Sequence, residues 1–140
     1  MKRFDRKREV YSGKFYIESE ETTNHNQKKP KLSFEFLSGD YCISQCQQRE
    51  KAEIIDTLHK ISQRTWQEII QLGKSGIGYE QIKLSQLKCV SPKCKIFDNL
   101  DKVTIFHKPP KVPIVGFRVE DIFYVFCIDR TYNAYKHNGS

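Results

Sequence analysis

The chain has 140 residues, of which 38% are hydrophobic and 29% are charged, and its formal net charge is +7. This length corresponds to one ordinary domain, which can bury a core without disulfides or metals. The longest apolar run, at residues 122–128, is seven residues long, whereas a transmembrane helix needs about 20. We therefore expect one soluble domain that does not cross a membrane.

The positive charge favours polyanionic partners, of which nucleic acid or the ribosome comes before membrane lipid. Part of this charge is local, because Lys2, Arg3, Arg6, Lys7 and Arg8 all lie near the N-terminus. A basic tail raises the net charge without forming a binding surface, so charge alone does not establish nucleic-acid binding. The basic start also lacks the apolar stretch of a signal peptide, and we expect a cytoplasmic protein.

The five cysteines are most simply reduced thiols, because their number is odd and no export signal precedes them. Cys127 alternates with aromatic residues and is expected in the core. The other four form two pairs: Cys42, Cys46, Cys89 and Cys94. Four thiolates can hold zinc tetrahedrally, although the commonest structural spacing is shorter than either pair has. We expect no metal and no other cofactor; if zinc is present, these four cysteines are its ligands.

A change in composition divides the chain into an extension and a domain. Residues 1–31 are basic and polar, with too few apolar side chains to offset the entropy of ordering most of them. Residues 32–140 form the predicted domain. Apolar and polar residues alternate over residues 32–36, which predicts a half-buried strand, and a short second strand is expected to begin at residues 41–43.

Two consecutive helices are predicted next. Over residues 47–61, isoleucine and leucine recur at helical spacing, with charged residues on the opposite side. Thr65 and Glu68 have the spacing of a capping box at the start of a second helix, and Trp66 lies on its buried side. Gly73 is the expected end of this helix.

The C-terminal third is predicted to be an antiparallel meander. Strands are expected at residues 103–106, 114–119, 123–128 and 132–135. Glu120 and Asp121 form a two-residue hairpin turn between the second and third of these strands. Strand, two helices and meander together predict an α+β fold in which the helices pack on one face of a sheet.

The case for chemistry rests on cationic and aromatic residues near the ends of these strands. RNA can be cleaved without a metal when a base removes the 2′-hydroxyl proton, cations stabilise the phosphorane, and an acid protonates the leaving oxygen. The catalytic candidates are Arg118, Arg130, Tyr135 and His137. The RNA-binding candidates are Lys108, Lys111 and Tyr132, which supply positive charge and a ring on which a base can stack.

Two further residues and several structural alternatives remain open. His107 is another candidate acid or base, because histidine titrates near neutral pH. Glu80 can orient a base or cap a helix. Arg118 has an ordinary structural alternative as an exposed strand residue paired with Glu120 or Asp121, and the tyrosines can simply pack in the sheet. Only convergence of these residues at one place favours chemistry.

The order of strand, two helices and meander resembles the RelE/ParE toxin superfamily, small bacterial proteins whose RelE-like members cleave messenger RNA on the ribosome. Three stretches are more similar to a group of uncharacterised bacterial and mobile-element proteins. They are SQRTWQEI at residues 62–69, GIGYEQI at residues 76–82, and VGFR…IFYVFCIDRTYNAYKH at residues 115–137. The resemblance covers roughly residues 32–137.

This resemblance implies a RelE-like fold and a site on the C-terminal sheet. Arg118 and the terminal group of Arg130, Tyr135 and His137 match the places where RelE-like toxins keep cationic and aromatic catalytic groups. The apolar run at residues 123–128 departs from the denser arginine and lysine pattern of those toxins. ParE-like members attack gyrase instead, so the superfamily by itself does not fix the activity.

Three functions remain open from the sequence. The first is a toxin-like, metal-independent endoribonuclease of a toxin–antitoxin system, with RNA or the ribosome and an antitoxin protein as partners and no membrane partner. The second is a non-catalytic accessory module that binds RNA or protein. The third is a zinc-stabilised nucleic-acid binder that uses the four paired cysteines.

Overall fold

The computed structural model describes residues 24–88 and 98–136. The helices in these ranges are α1 (Gln48–Ser62) and α2 (Trp66–Leu72). The strands are β1 (Lys31–Ser33), β2 (Tyr79–Lys83), β3 (Lys102–Phe106), β4 (Ile114–Val119) and β5 (Ile122–Ile128). Two consecutive helices and one sheet confirm the predicted α+β class. No helix in the described ranges is long and apolar enough to span a membrane.

The five strands form one mixed sheet in the order β1-β5-β4-β3-β2. Strands β2 to β5 are an antiparallel meander, and β1 lies parallel to β5 at the far edge. Val119 is opposite Ile122, so Glu120 and Asp121 form the predicted two-residue turn. Glu120 has a φ of 58°, in the left-handed region that such tight hairpin turns require.

Local signals explain the two helices. The backbone N–H of Gln47 donates to Glu50 Oε1 at 2.8 Å, which satisfies a free donor at the start of α1. Thr65 and Glu68 form the predicted capping box, with Thr65 N donating to Glu68 Oε1 at 2.9 Å. Gly73, with a φ of 55°, ends α2 as expected.

The sheet is apolar on both faces. The helix-side core contains Cys46, Ile54, Leu58, Ile61, Trp66, Ile69, Phe106, Val112, Ile114, Phe123, Val125 and Ile128. The opposite face contains Val103, Ile105, Val115, Phe117, Phe126, Cys127, Ala134 and Tyr135. Cys127 is fully buried, as predicted. Because both faces are covered, β3 to β5 have nearly continuous apolar sequences rather than alternating ones.

Two predicted strands are wrong, because in both places the backbone groups form local hydrogen bonds instead of pairing with a strand. In place of a strand beginning at residues 41–43, the chain forms 3-10 turns at Gly39–Tyr41 and Ile43–Gln45. Residues 132–135 turn back, because the carboxylate of the buried Asp129 accepts hydrogen bonds from the backbone N–H of Asn133 at 2.9 Å and of Ala134 at 3.1 Å. This turn brings Tyr135 onto the sheet.

Candidate functional site

A cleft of about 430 Å³ opens at the β2 edge of the sheet, on the face opposite the helices. It lies between β2, the end of β3 and the C-terminal segment. Its ionisable lining residues are Lys74, Glu80, His107, Lys108, Tyr135 and Lys136. The cleft therefore combines a carboxylate, an imidazole, a phenol and three ammonium groups.

The register of β2 and β3 places Glu80 and His107 on the same sheet face. Glu80 is opposite Ile105, and His107 follows two residues later, with its backbone N–H donating to Gly78 O at 3.0 Å. Since side chains two residues apart on a strand share a face, Glu80 and His107 are diagonal neighbours. Such neighbours on paired strands lie about 7–8 Å apart, close enough to contact one small group between them.

Gly78 makes this close approach possible. Its φ is 85°, and a Cβ atom built at this position would lie 2.2 Å from the carbonyl oxygen of His107. A larger residue would push His107 away from β2. The glycine therefore determines how closely the histidine backbone approaches the start of β2.

Lysines line the cleft on two sides. Lys74 Nζ lies 3.3 Å from Glu80 Oε1 and forms an ion pair with it. Lys108 Nζ donates to the carbonyl oxygens of Lys74 at 3.1 Å and Ser75 at 3.2 Å, which fixes its ammonium beside the cleft. Lys136 is exposed on the C-terminal side. A negatively charged ligand in the cleft would thus be near three positive charges.

Tyr135 forms a buried wall of the cleft and is only 4% exposed. Burial chiefly raises the pKa of Tyr135, and the negative charges of Glu80 and Asp129 raise it further. The raised pKa disfavours the phenolate, so Tyr135 is a hydrogen-bond donor rather than a base at neutral pH.

Tyr132 lies beside the histidine and remains accessible. Its ring centroid is 5.6 Å from that of His107, and its side chain is among the exposed large hydrophobic groups. Tyr132 has a φ of 59°, because it lies within the turn that Asp129 stabilises. An accessible ring beside His107 can stack on a nucleic-acid base.

Neither Arg118 nor Arg130 lines this cleft, so the structure does not bring these two predicted catalytic residues together with Tyr135 there. Arg118 is near the β4–β5 hairpin, whereas Arg130 follows the other end of β5. The five steps along the strand from Phe123, which is opposite Arg118, to Ile128 at the end of β5 correspond to about 16 Å. The two guanidinium groups therefore lie at opposite ends of the sheet.

Each of these arginines has an intramolecular partner. Arg118 Nε donates to the carbonyl oxygen of Glu120 at 2.6 Å, and its guanidinium lies 4.4 Å from the ring centroid of Trp66. Arg130 Nε donates to Glu50 Oε1 at 2.9 Å. These contacts connect the helices to the sheet and give both arginines a structural role.

Some of the predicted site residues lie outside the residues that the structure describes. These are the catalytic candidate His137 and the second cysteine pair, Cys89 and Cys94. Cys42 and Cys46 are free thiols, and burial chiefly raises the pKa of Cys46. Among residues 24–88 and 98–136, no three His, Cys, Asp or Glu side chains are grouped so that they could hold a metal ion.

Lys108 and Lys111, predicted to bind RNA, lie together in a second groove that adjoins the cleft. Lys108 lines both depressions. The sequence did not identify Lys74 and Lys136 as site residues. Glu80, which the sequence left open as an orienting group or a helix cap, lies in β2 and lines the cleft.

Comparison of the chain with protein-family models, with curated proteins and with solved structures finds no match.

Proposed function

We propose that the chain is a metal-independent endoribonuclease that cleaves RNA in the cleft at the β2 edge. One observation carries the proposal: Glu80 and His107, a carboxylate and an imidazole, share a small cleft with three lysines and a protonated tyrosine. A base, an acid and several cations are the groups that cleavage by the 2′-hydroxyl requires.

Glu80 and His107 divide the proton transfers between them. Glu80 acts as the general base and accepts the proton of the 2′-hydroxyl. The 2′-oxygen then forms a bond to phosphorus while the bond from phosphorus to the 5′-oxygen breaks. Protonated His107 donates its proton to that leaving oxygen. The products are a 2′,3′-cyclic phosphate and a free 5′-hydroxyl.

The other lining groups stabilise the charge that develops on phosphorus. Two N–H bonds of Lys108 are directed to backbone carbonyls, which leaves its third for a phosphate oxygen. Lys136 adds a second positive charge, and the hydroxyl of Tyr135 donates a hydrogen bond. Tyr132 stacks on the base next to the scissile bond, where its ring lies beside His107.

The resemblance to RelE-like toxins favours the same activity, with messenger RNA as the substrate class and an antitoxin protein as the inhibitor, but of the residues it implies only Tyr135 lies in this cleft. Two helices packed against an antiparallel meander are compatible with that superfamily. In this proposal the reaction uses Glu80, His107 and Tyr135, whereas Arg118 and Arg130 stabilise the fold.

Cleavage of single-stranded RNA by the purified chain in the presence of EDTA tests the proposal. His107→Ala and Glu80→Gln should each lower the rate by about 10²- to 10⁴-fold, the usual contribution of a positioned acid or base. His59→Ala is the matched control, because His59 is exposed on α1 and outside the cleft. Equal rates for His107→Ala and His59→Ala would refute the proposed site.

A second function, RNA binding without cleavage, is favoured by the basic groove that adjoins the cleft. It predicts that the wild-type chain binds RNA in EDTA and leaves it intact. The same assay, read by mobility shift as well as by fragment length, separates the two functions.

A further inference from the structure

The groove next to the cleft lies between the end of α1 and the β3–β4 connection, and its volume is about 240 Å³. Its basic lining residues are Lys60, Arg64, Lys108 and Lys111. Since Lys108 also lines the cleft, the two depressions form one continuous basic path across the end of the sheet.

The groove has an apolar floor and a basic rim. Phe106 and Val112 are buried, and Ile77 is half-buried beside them. Lys60 lies in the last turn of α1, and Arg64 follows that helix directly. An apolar floor suits the face of a base or ribose, and a basic rim suits the phosphates on either side of it.

The rim cations differ from the paired cations elsewhere in the described ranges. Within these residues, Lys60, Arg64 and Lys111 form no ion pair, whereas Lys31 and Arg130 are each bonded to a carboxylate. A phosphodiester bound in the groove would bring its negative charge close to these three cations.

We propose that this groove binds the nucleotide next to the scissile phosphate, so that the substrate is a single RNA strand running from the cleft across Lys108 into the groove. This inference rests on the proposed function, because it assigns a substrate to the same site. A double helix is too wide to enter a groove of about 240 Å³, so we expect single-stranded RNA to bind here more tightly than paired RNA.

The test compares two double variants of equal charge. Lys60→Gln/Arg64→Gln removes two charges from the groove. Arg49→Gln/Lys51→Gln removes two charges from the first turns of the same helix, outside the groove. Both are made in the His107→Ala background, so that the RNA probe stays intact during the measurement.

Binding of a 12-nucleotide oligouridylate and of the mononucleotide uridine 3′-phosphate is measured over a series of salt concentrations. The groove variant should bind the 12-mer about tenfold more weakly, and the slope of log affinity against log salt should fall by about 1.4, for two lost contacts to a single strand. Its affinity for the mononucleotide, which has no neighbouring nucleotide to place in the groove, should change much less. The control variant should bind both probes within about twofold of its parent.

Equal weakening by the two double variants would overturn the groove assignment, because it would show a general charge effect. Tighter binding of a 12-base-pair duplex than of the single strand would also overturn it. Cleavage by the wild-type His107 chain is assayed separately. The absence of cleavage would refute the proposed nuclease activity. The binding measurements alone test the assignment of the groove.

Discussion

Glu50 connects the start of α1 to the turn that follows β5. Its Oε1 atom accepts hydrogen bonds from the backbone N–H of Gln47 at 2.8 Å and from Arg130 Nε at 2.9 Å. The bond from Gln47 chiefly lowers the pKa of Glu50, and Arg130 lowers it further, while burial acts in the opposite direction. The ionised carboxylate is therefore the form that stabilises the fold.

Glu50→Gln should lower the free energy of unfolding by about 1 kcal/mol at pH 7, because the amide keeps the shape of the carboxylate but loses its charge. The folded-state pKa is below its ordinary value of 4.5. The contribution of the charge is therefore complete above that pH and is lost as the pH falls through the folded-state pKa. Urea unfolding from pH 7 to pH 3 should show the difference from wild type shrinking in acid.

Glu68→Gln is the control for this prediction. Glu68 occupies the same capping position in α2, but it is exposed and has no arginine partner among the described residues. If Glu68→Gln lowers the free energy of unfolding at pH 7 by as much as Glu50→Gln does, the ion pair of Glu50 with Arg130 contributes nothing to stability.

At the scale of elements, the pairing of β2 with β3 assembles the proposed catalytic pair. Gly78→Ala should lower the free energy of unfolding by about 2–4 kcal/mol. A side chain at a positive φ costs about 1 kcal/mol, and the clash of the new methyl group with His107 adds to this cost. Chemical denaturation measures this loss. Cleavage should also fall under conditions in which the variant is still folded, since the histidine backbone must move.

Gly39→Ala separates the two causes. Gly39 also has a positive φ, of 72°, but a Cβ atom there would have no neighbour within 4 Å. The Gly39→Ala variant should lose about 1 kcal/mol of its free energy of unfolding, from backbone strain alone. Its rate of RNA cleavage should equal that of the wild type. If Gly78→Ala behaves like Gly39→Ala, the close approach to His107 has no role in the site.

The elements that could be predicted from the sequence are those with local signals. Residues 48–62 have helical spacing, Thr65 and Glu68 are three residues apart, and the turn at Glu120 is two residues long. The strand β2 could not be predicted, because three of its five residues are polar and its order depends on pairing with β3. The turn at residues 132–135 depends on the carboxylate of one buried residue, Asp129.

The same reason limits what could be predicted of the site. The sequence predicted Lys108 and Tyr135 as functional residues, gave His107 as another acid or base, and left Glu80 open as an orienting group or a helix cap. Their position in one cleft depends on the register between β2 and β3, which the sequence does not reveal. The residue type of Arg118 favoured a role as a phosphate ligand. The sequence could not show that its guanidinium lies beside the ring of Trp66, because the two residues are far apart in the chain.

At the scale of the whole molecule, the proposed chemistry uses the end of the sheet opposite the β4–β5 hairpin. The hairpin end is fixed by the ion pair of Lys31 with Asp121, at 2.6 Å, and by the contact of Arg118 with Trp66. The cleft and the basic groove lie at the other end, where the ion pair of Arg130 with Glu50 also stabilises the fold. We therefore expect a polyanion to bind at this second end, where the lysines of the cleft and the groove lie.

The most direct test of cleavage by the 2′-hydroxyl is a single RNA strand compared with the same strand in which one ribose, at the main cleavage position, is replaced by 2′-deoxyribose. In EDTA, the wild-type chain should cut the RNA to give a 2′,3′-cyclic phosphate, identified by mass spectrometry, and should leave the substituted bond intact. Cleavage at the deoxyribose position, or RNA that remains uncut although it is bound, would contradict the proposed mechanism.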